Sequence, residues 1–321
     1  MRSRRLRGYA TQLHGCPTMN ATHRATSLRR RPRWTRLSSA WSVAAMVTLA
    51  IAGCGSDSSS GSQSPTTPNR AHPVGIIAIG HSGLTGENSD PARPGQPTPQ
   101  NSWATGTSPS VESVYLRLVA AVPETRDHVA NSAVGGAPVT ALADQARSAL
   151  ELVPSPALTI VQTIDGDIRC DGTDPDNVVS FGATLTDVLK SLTTSSPDTK
   201  ILLVGQLGRP SPAFVAHLVA VHPDVKPSLT GFGICDFYDQ RGKLNTASFT
   251  RLTRIIDAYE GEQARVCSSF ANCRTDDGVR AAYQDTLANF TPDWNHLNVR
   301  GQAQEAKVIW PAVAQLLGLP R

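Results

Sequence analysis

Two short segments near opposite ends of the chain carry the side chains best suited to chemistry. Ser82 lies in the segment Gly-His-Ser-Gly at 80–83, directly after an apolar run. A serine on such a sharp turn exposes its hydroxyl as a nucleophile. Asp293 precedes His296 by three residues, a spacing at which a carboxylate can orient an imidazole ring and stabilise its protonated form. These residue types predict acyl transfer with Ser82 as nucleophile and His296 as base.

An alternation of short apolar runs and helical patterns must position these side chains. The strand candidates are 73–80, 128–134, 157–164 and 200–206, and the helix candidates are 111–122, 139–153, 181–192, 246–270 and 300–317. Such alternation predicts an α/β domain with a parallel sheet covered by helices on both faces. Active sites in these sheets lie at the carboxyl ends of the strands, which is where Ser82 falls.

Three sequence blocks resemble those of the SGNH hydrolases, also called the GDSL esterase/lipase family. AIGHSGLTGEN resembles the first block at Gly80 and Ser82, NSAVGGAPV the second block at Gly136, and DWNHLNVRG the last block at Asp293 and His296. The resemblance implies a three-layer α/β/α fold with a mostly parallel, flavodoxin-like sheet. It also implies a Ser-His-Asp triad that needs no metal or cofactor, with the N–H groups of Ser82 and Gly136 binding the oxyanion.

The chain departs from the family pattern at two positions. His81 stands where the family has the Asp of its Gly-Asp-Ser-Leu block, and Gly166, in Ile-Asp-Gly-Asp at 164–167, stands where the family has its oxyanion-hole Asn. Loss of one such donor costs about 10²–10³ in turnover. Two hypotheses follow: a serine esterase acting on small-molecule or envelope esters, or a catalytically weak or inactive lipoprotein that binds a cell-envelope ligand.

Other polar and aromatic residues near the strand ends have two interpretations each. Trp103, in the Pro-rich loop 85–110, either forms a wall of the substrate cleft or packs the loop onto the domain. His81 either contacts substrate at the rim or has a structural role. The acidic run DGDIRCDGTDPDN is either a solvated loop or a calcium site, but its spacing does not match an EF-hand. We predict no metal site.

The charge distribution argues against nucleic-acid binding. The 321 residues carry a formal net charge of +4, yet ten of the 30 Lys and Arg residues lie in 1–53, which has no Asp or Glu. The rest of the chain contains the other 20 Lys and Arg residues and all 26 Asp and Glu residues, so its net charge is about −6. Residues 1–53, with an Arg-rich region followed by the apolar stretch 41–52, have the organisation of an export signal.

The end of this leader resembles a bacterial lipobox. Ile-Ala-Gly-Cys at 51–54 places small residues before Cys54, which would become a lipidated N-terminus anchored to the outer face of the cell membrane. An ordinary secretory signal is the alternative, and Met19 is an alternative start. Residues 54–72 are predicted to be a flexible linker and 73–321 one hydrolase-like domain, expected to be monomeric.

Four cysteines lie in the predicted domain. An even number in an exported chain predicts two disulfides, for which three pairings are possible. We expect a short loop between Cys267 and Cys273 and a long one between Cys170 and Cys235.

Overall fold

A parallel five-stranded sheet forms the centre of the computed structural model, which describes residues 72–231 and 233–320. The predicted leader, Cys54 and nearly all of the linker lie outside the described residues. The strands are β1 Ile76–Gly80, β2 Val129–Asn131, β3 Leu158–Gln162, β4 Lys200–Val204 and β5 Cys273–Thr275. Their order is β2-β1-β3-β4-β5, with every neighbouring pair parallel. This flavodoxin-like order places a topological switch point between β1 and β3.

Helices cover both faces of the sheet. They are α1 Val114–Ala121, α2 Leu142–Leu152, α3 Asp174–Ser195, α4 Pro212–Val221, α5 Thr246–Cys267, α6 Val279–Ala282 and α7 Val299–Leu317. Alternate residues of β1 face opposite layers: Ile77 and Ile79 join the core with α2, α3 and α5, whereas Ile76 and Ala78 join the core with α1 and α7. Strands covered on both faces are apolar throughout, as the sequence pattern indicated. The predicted three-layer α/β/α fold is confirmed.

The strand register brings together the loops that follow β1, β3 and β4. Gly80 at the end of β1 pairs with Gln162 at the end of β3, and Gln162 pairs with Val204 at the end of β4. The loops that follow these strands therefore begin side by side at one edge of the sheet. The first of these loops carries Ser82.

A smaller apolar cluster lies beside the main domain core. It joins α4 to the following segment and to α5 through Val215, Leu218, Leu229, Tyr238 and Phe249. Two disulfides, Cys170–Cys235 and Cys267–Cys273, have the pairing expected from the sequence. Among the described residues, no helix combines the length and the hydropathy needed to cross a bilayer.

Four elements differ from the sequence prediction, including the four-residue helix α6, for which the sequence showed no pattern. β5 has three residues and includes the exposed Arg274, so it lacks the apolar run by which the other strands were found. α4 was not predicted. α3 begins at Asp174 rather than Phe181, because its first turn is polar and carries Asp and Pro, which favour a helix N-terminus.

Candidate active site

The turn that carries Ser82 is fixed by contacts with its neighbours. β1 ends at Gly80 with φ +146°, where a Cβ atom would lie 1.8 Å from the carbonyl oxygen of Gln162. Gln145 of α2 accepts the Gly80 N–H at 2.6 Å and donates to the Gly80 carbonyl at 3.0 Å. Ser82 then opens a single 3₁₀ turn that ends at Leu84. Glycine at position 80 thus lets the chain turn sharply against β3, and Ser82 lies at the end of a central strand.

His81 caps this turn from inside the protein. Its Nδ1 accepts the Gly83 N–H at 3.1 Å, so the neutral ring carries its proton on Nε2. Burial lowers the pKa of His81 to about 4. The negative charge of Asp165 opposes this shift, whereas Arg280 and His296 add to it. Nε2 is shielded from solvent and has no hydrogen-bond partner among the described residues.

The predicted contact of His81 with substrate at the rim is therefore not found. His81 is only 5% exposed, and the ring holds the Ser82 turn through Gly83. This is the structural role that the sequence left open as the alternative.

Asp293 holds His296 by two hydrogen bonds. Its Oδ2 accepts from His296 Nδ1 at 2.8 Å, and its Oδ1 accepts the His296 backbone N–H at 3.0 Å. The Thr291 hydroxyl and the Asn295 N–H also donate to Oδ1, at 2.6 and 2.9 Å. Burial raises the pKa of the Asp293 carboxyl, but the hydrogen bonds outweigh it and hold this pKa well below its usual range. An ionised Asp293 fixes the tautomer in which Nδ1 carries the proton and the lone pair lies on Nε2, where the Asn295 amide is 3.5 Å away.

Asn88 adds a positioning contact that the sequence did not reveal. Its Nδ2 donates to Asp293 Oδ2 at 2.7 Å, while its Oδ1 accepts the Gly95 N–H at 2.8 Å. Asn88 belongs to the loop after Ser82, so this bond joins the Ser82 segment to the segment that carries Asp293 and His296. Two residues 205 positions apart give no local pattern from which this contact could have been predicted.

The backbone N–H groups suited to an oxyanion lie on the Ser82 turn and on the turn around Gly136. Gly136 has φ +70° in a turn that the Ala137 N–H closes onto the Val134 carbonyl. Neither the Ser82 nor the Gly136 N–H donates to another described residue. In the described part of the chain, the Ser82 hydroxyl makes no hydrogen bond to His296. Such bonds often tighten only when substrate is bound.

Gly166 packs against the Gly136 turn and has no room for a side chain. A Cβ atom at 166 would lie 2.6 Å from the Ala137 carbonyl oxygen and 3.0 Å from that of Gly136. An amide side chain at this position would meet backbone rather than an open site. At Gly166 the loop after β3 therefore packs closely against the backbone of the Gly136 turn, and it supplies no side-chain donor there.

The carboxylates of the acidic run have separate structural partners. Asp167 accepts the Val139 N–H at 2.9 Å, and its burial raises its pKa to about 6 against the hydrogen bonds from Val139 and Thr163. Asp174 accepts the N–H groups of Arg169 and Cys170, near the start of α3. Within the described residues, no group of three or more His, Cys, Asp or Glu side chains is placed to hold a metal ion.

The suggested role of Trp103 as a wall of the cleft is wrong. Trp103 is fully buried in the core between the sheet, α1 and α7. Its indole N–H donates to the Gly83 carbonyl at 2.9 Å, and its backbone N–H donates to Gln302 of α7 at 2.9 Å. Trp103 thus packs the long loop beneath the Ser82 turn, the alternative that the sequence allowed.

A buried ion pair between Arg280 and Glu305 supports the strand ends. Both side chains are almost inaccessible, and Arg280 also donates to the Gly205 carbonyl at 2.6 Å. The Gln162 amide, turned so that its oxygen faces the guanidinium, accepts from Arg280 at 2.8 Å. Burial raises the pKa of Glu305 against the lowering effect of Arg280. The pair ties α6 and α7 to β3 and β4. Removing one partner of such a pair costs about 3–5 kcal/mol.

No protein-family model and no curated protein sequence matches the chain. Solved structures with similar folds include an extracellular lipase from Streptomyces rimosus, at 14% identity and a TM-score of 0.43, covering 76% of this chain and 99% of the lipase. Phospholipase A1 from Streptomyces albidoflavus matches at 10% identity with a TM-score of 0.45, and the match covers 76% of this chain and 99% of the phospholipase. A family two carbohydrate esterase from Clostridium thermocellum matches at 12% identity with a TM-score of 0.47, and the match covers 76% of this chain and 65% of the esterase. All three TM-scores are below 0.5, and the three-layer α/β/α fold rests on the sheet order and the helices that cover both faces.

Proposed function

We propose that the chain is a serine esterase that hydrolyses carboxylic esters through an acyl-enzyme on Ser82. The observation that carries the proposal is the buried His296–Asp293 pair, hydrogen-bonded at 2.8 Å. Asn88, six residues after Ser82, donates to the same Asp293 carboxylate. A serine on a turn, an imidazole with its Nδ1 bound to a carboxylate and an ionised carboxylate are the components of nucleophilic acyl transfer.

The reaction follows from the roles of these atoms. Ser82 Oγ attacks the ester carbonyl carbon while its proton passes to His296 Nε2. The N–H groups of Ser82 and Gly136 stabilise the oxyanion. The bond to the alcohol then breaks, and the alcohol leaves with the proton from His296. Water attacks the acyl-enzyme by the same route in reverse and releases the acid and free Ser82.

Turnover is expected to be slow for an esterase. The oxyanion has two backbone donors here, while Gly166 supplies no third donor from a side chain. Loss of one donor costs about 10²–10³ in turnover, so we expect a kcat well below the median of about 10 s⁻¹ for enzymes.

The second candidate function is non-catalytic binding of a cell-envelope ligand. Gly166 favours it, since a site without the third donor is poorly adapted to an oxyanion. The two candidates differ in covalent chemistry: an esterase forms an acyl-Ser82 intermediate, and a binding protein does not.

We also propose that the protein is exported and held by lipid on Cys54 at the outer face of the cell membrane. The support is the sequence of residues 1–54 alone, which lie outside the described residues. A Cys54→Ala variant should move from the membrane fraction to the soluble fraction. Retention in the membrane fraction would contradict the assignment.

The esterase proposal is tested by hydrolysis of p-nitrophenyl acetate and butyrate with the full chain. Ser82→Ala should lower kcat by about 10³ or more, whereas the exposed Ser110→Ala, a matched control, should leave it unchanged. Undiminished hydrolysis by Ser82→Ala would refute the role of Ser82. Absence of turnover by the unaltered chain would instead favour the binding candidate.

A further inference from the structure

An apolar pocket opens beside the proposed triad, above the carboxyl ends of β3 and β4. Its volume is about 290 Å³, at the lower end of the range for small-molecule sites. Its inner wall is formed by side chains of α4, α5 and the loops next to them, including Phe214, Val215, Leu218, Leu252, Ile256 and Phe290. Such a lining favours an aliphatic occupant.

One part of the pocket lining lies next to the proposed triad. Asn295 lines the pocket, and its Nδ2 is 3.5 Å from His296 Nε2, the atom proposed to move the proton. Asp165 also lines the pocket, three residues after Gln162, which ends β3 and pairs with Gly80 at the end of β1. The pocket thus lies at the same edge of the sheet as Ser82 and against the residue that neighbours His296.

The charged side chains around the pocket have partners within the protein. Asp165 accepts from the Gln206 amide at 3.0 Å, and Arg209 pairs with Asp257 at 2.8 Å and with Glu260. Asp285 accepts a hydrogen bond from Asn289. Charged groups that are already paired within the protein interact less strongly with a charged ligand. Apolar contact is therefore the main source of binding energy in this pocket.

The pocket is braced by a disulfide. Cys170 and Cys235 both line it, and their bond joins the loop after β3 to the segment before α5 across a sequence separation of 65. A wall tied in this way keeps its shape without a ligand, which reduces the ordering cost of binding.

We propose that this pocket binds the acyl chain of a medium-length aliphatic ester, an inference that rests on the proposed function. At roughly 30 Å³ for each water-sized group, the volume accommodates about ten such groups. An unbranched chain of hexanoyl to decanoyl length fits this space, whereas acetyl leaves most of it empty and palmitoyl exceeds it.

The test is a chain-length series of p-nitrophenyl esters with the full chain. We expect kcat/KM to rise about fourfold for each added methylene from acetate to octanoate, and to fall again at palmitate. Leu252→Trp, which fills the pocket from α5, should lower the octanoate-to-acetate ratio of kcat/KM at least tenfold. The matched control is Ala258→Trp, exposed on the same helix and outside the pocket lining, which should leave that ratio unchanged.

A flat or falling profile from acetate to octanoate would overturn the pocket assignment while leaving the esterase proposal intact. An equal ratio in Leu252→Trp and the unaltered chain would do the same. If no ester is turned over, the proposed function fails. The pocket is then tested by calorimetric titration of Ser82→Ala with octanoate: saturable binding lost in Ser82→Ala/Leu252→Trp supports it, and no binding overturns it.

Discussion

Asn88→Asp changes one functional group next to the proposed triad carboxylate. The Asn88 amide donates to Asp293 Oδ2 at 2.7 Å, and its oxygen accepts the Gly95 N–H at 2.8 Å. Aspartate has nearly the same shape and can still accept from Gly95. It also tolerates the φ of +57° at this position. The substitution thus replaces a donor by a negative charge while leaving the packing of the loop unchanged.

The expected cost follows from this geometry. Two unit charges about 4 Å apart repel by about 4 kcal/mol at an effective dielectric constant near 20, and loss of a hydrogen bond to a charged group costs about 1.5–3 kcal/mol. Protonating a carboxyl of ordinary pKa at pH 7 costs about 4 kcal/mol. Turning the new side chain away removes the repulsion but not the loss of the hydrogen bond. We therefore expect a loss of about 3 kcal/mol, or roughly a hundredfold in kcat/KM.

The assay is hydrolysis of p-nitrophenyl acetate between pH 5 and 8, with circular dichroism to verify folding. The variant should recover relative to the unaltered chain as pH falls, because a protonated Asp at position 88 regains a donor. Asp90→Asn is the control: Asp90 lies in the same loop and pairs with Arg93, so its loss should change kcat/KM less than twofold. A folded Asn88→Asp variant within threefold of the unaltered chain at pH 7 would refute the positioning role of Asn88.

Three further substitutions test the elements around the site. The pKa of His81 is lowered to about 4 in the folded state, so between about pH 6.5 and 4 only the unfolded state binds a proton on this ring. The free energy of unfolding therefore falls by roughly 2–4 kcal/mol as pH drops through this window. His81→Asn keeps an oxygen that can cap the turn, and it should lose this pH dependence in urea titrations. The pKa of Asp167 is raised to about 6 in the folded state, so its contribution to the free energy of unfolding falls by roughly 2–3 kcal/mol as pH rises from about 4 to 6. Asp167→Asn should remove this pH dependence, which has the opposite sign to that of His81. A pH dependence that stays the same in either variant would contradict the assignment for that residue. Gly166→Ala pushes a methyl group against the Ala137 carbonyl; it should lower the free energy of unfolding by about 1–3 kcal/mol and reduce kcat, and unchanged urea midpoints and kinetics would show that the two loops are not in close contact.

The features of the fold that the sequence predicted are those encoded locally. Apolar runs marked β1, β3 and β4, since strands covered by helices on both faces need no polar side. The hydrogen bond between Asp293 and His296 spans three residues, so its spacing is visible in the sequence. The turn at Ser82 is likewise marked by the glycines that flank it.

The features that the sequence did not predict depend on tertiary contacts. Trp103 had two interpretations because an aromatic residue in a long loop can face either the core or solvent, and only the packing against α1 and α7 decides between them. Asn88 reaches Asp293 across 205 positions. The pocket combines side chains from several separate segments between Asp165 and Asn295. None of these arrangements has a periodicity or a spacing by which it could be recognised.

Labelling of Ser82 by a fluorophosphonate tests the central claim most directly. The full chain is incubated with the probe, and the modified residue is located by peptide mass spectrometry. The proposed mechanism predicts one adduct on Ser82, no adduct in Ser82→Ala, and labelling slowed by about 10³ or more in His296→Ala. Absence of an adduct on Ser82, or a labelling rate that does not depend on His296, would contradict it.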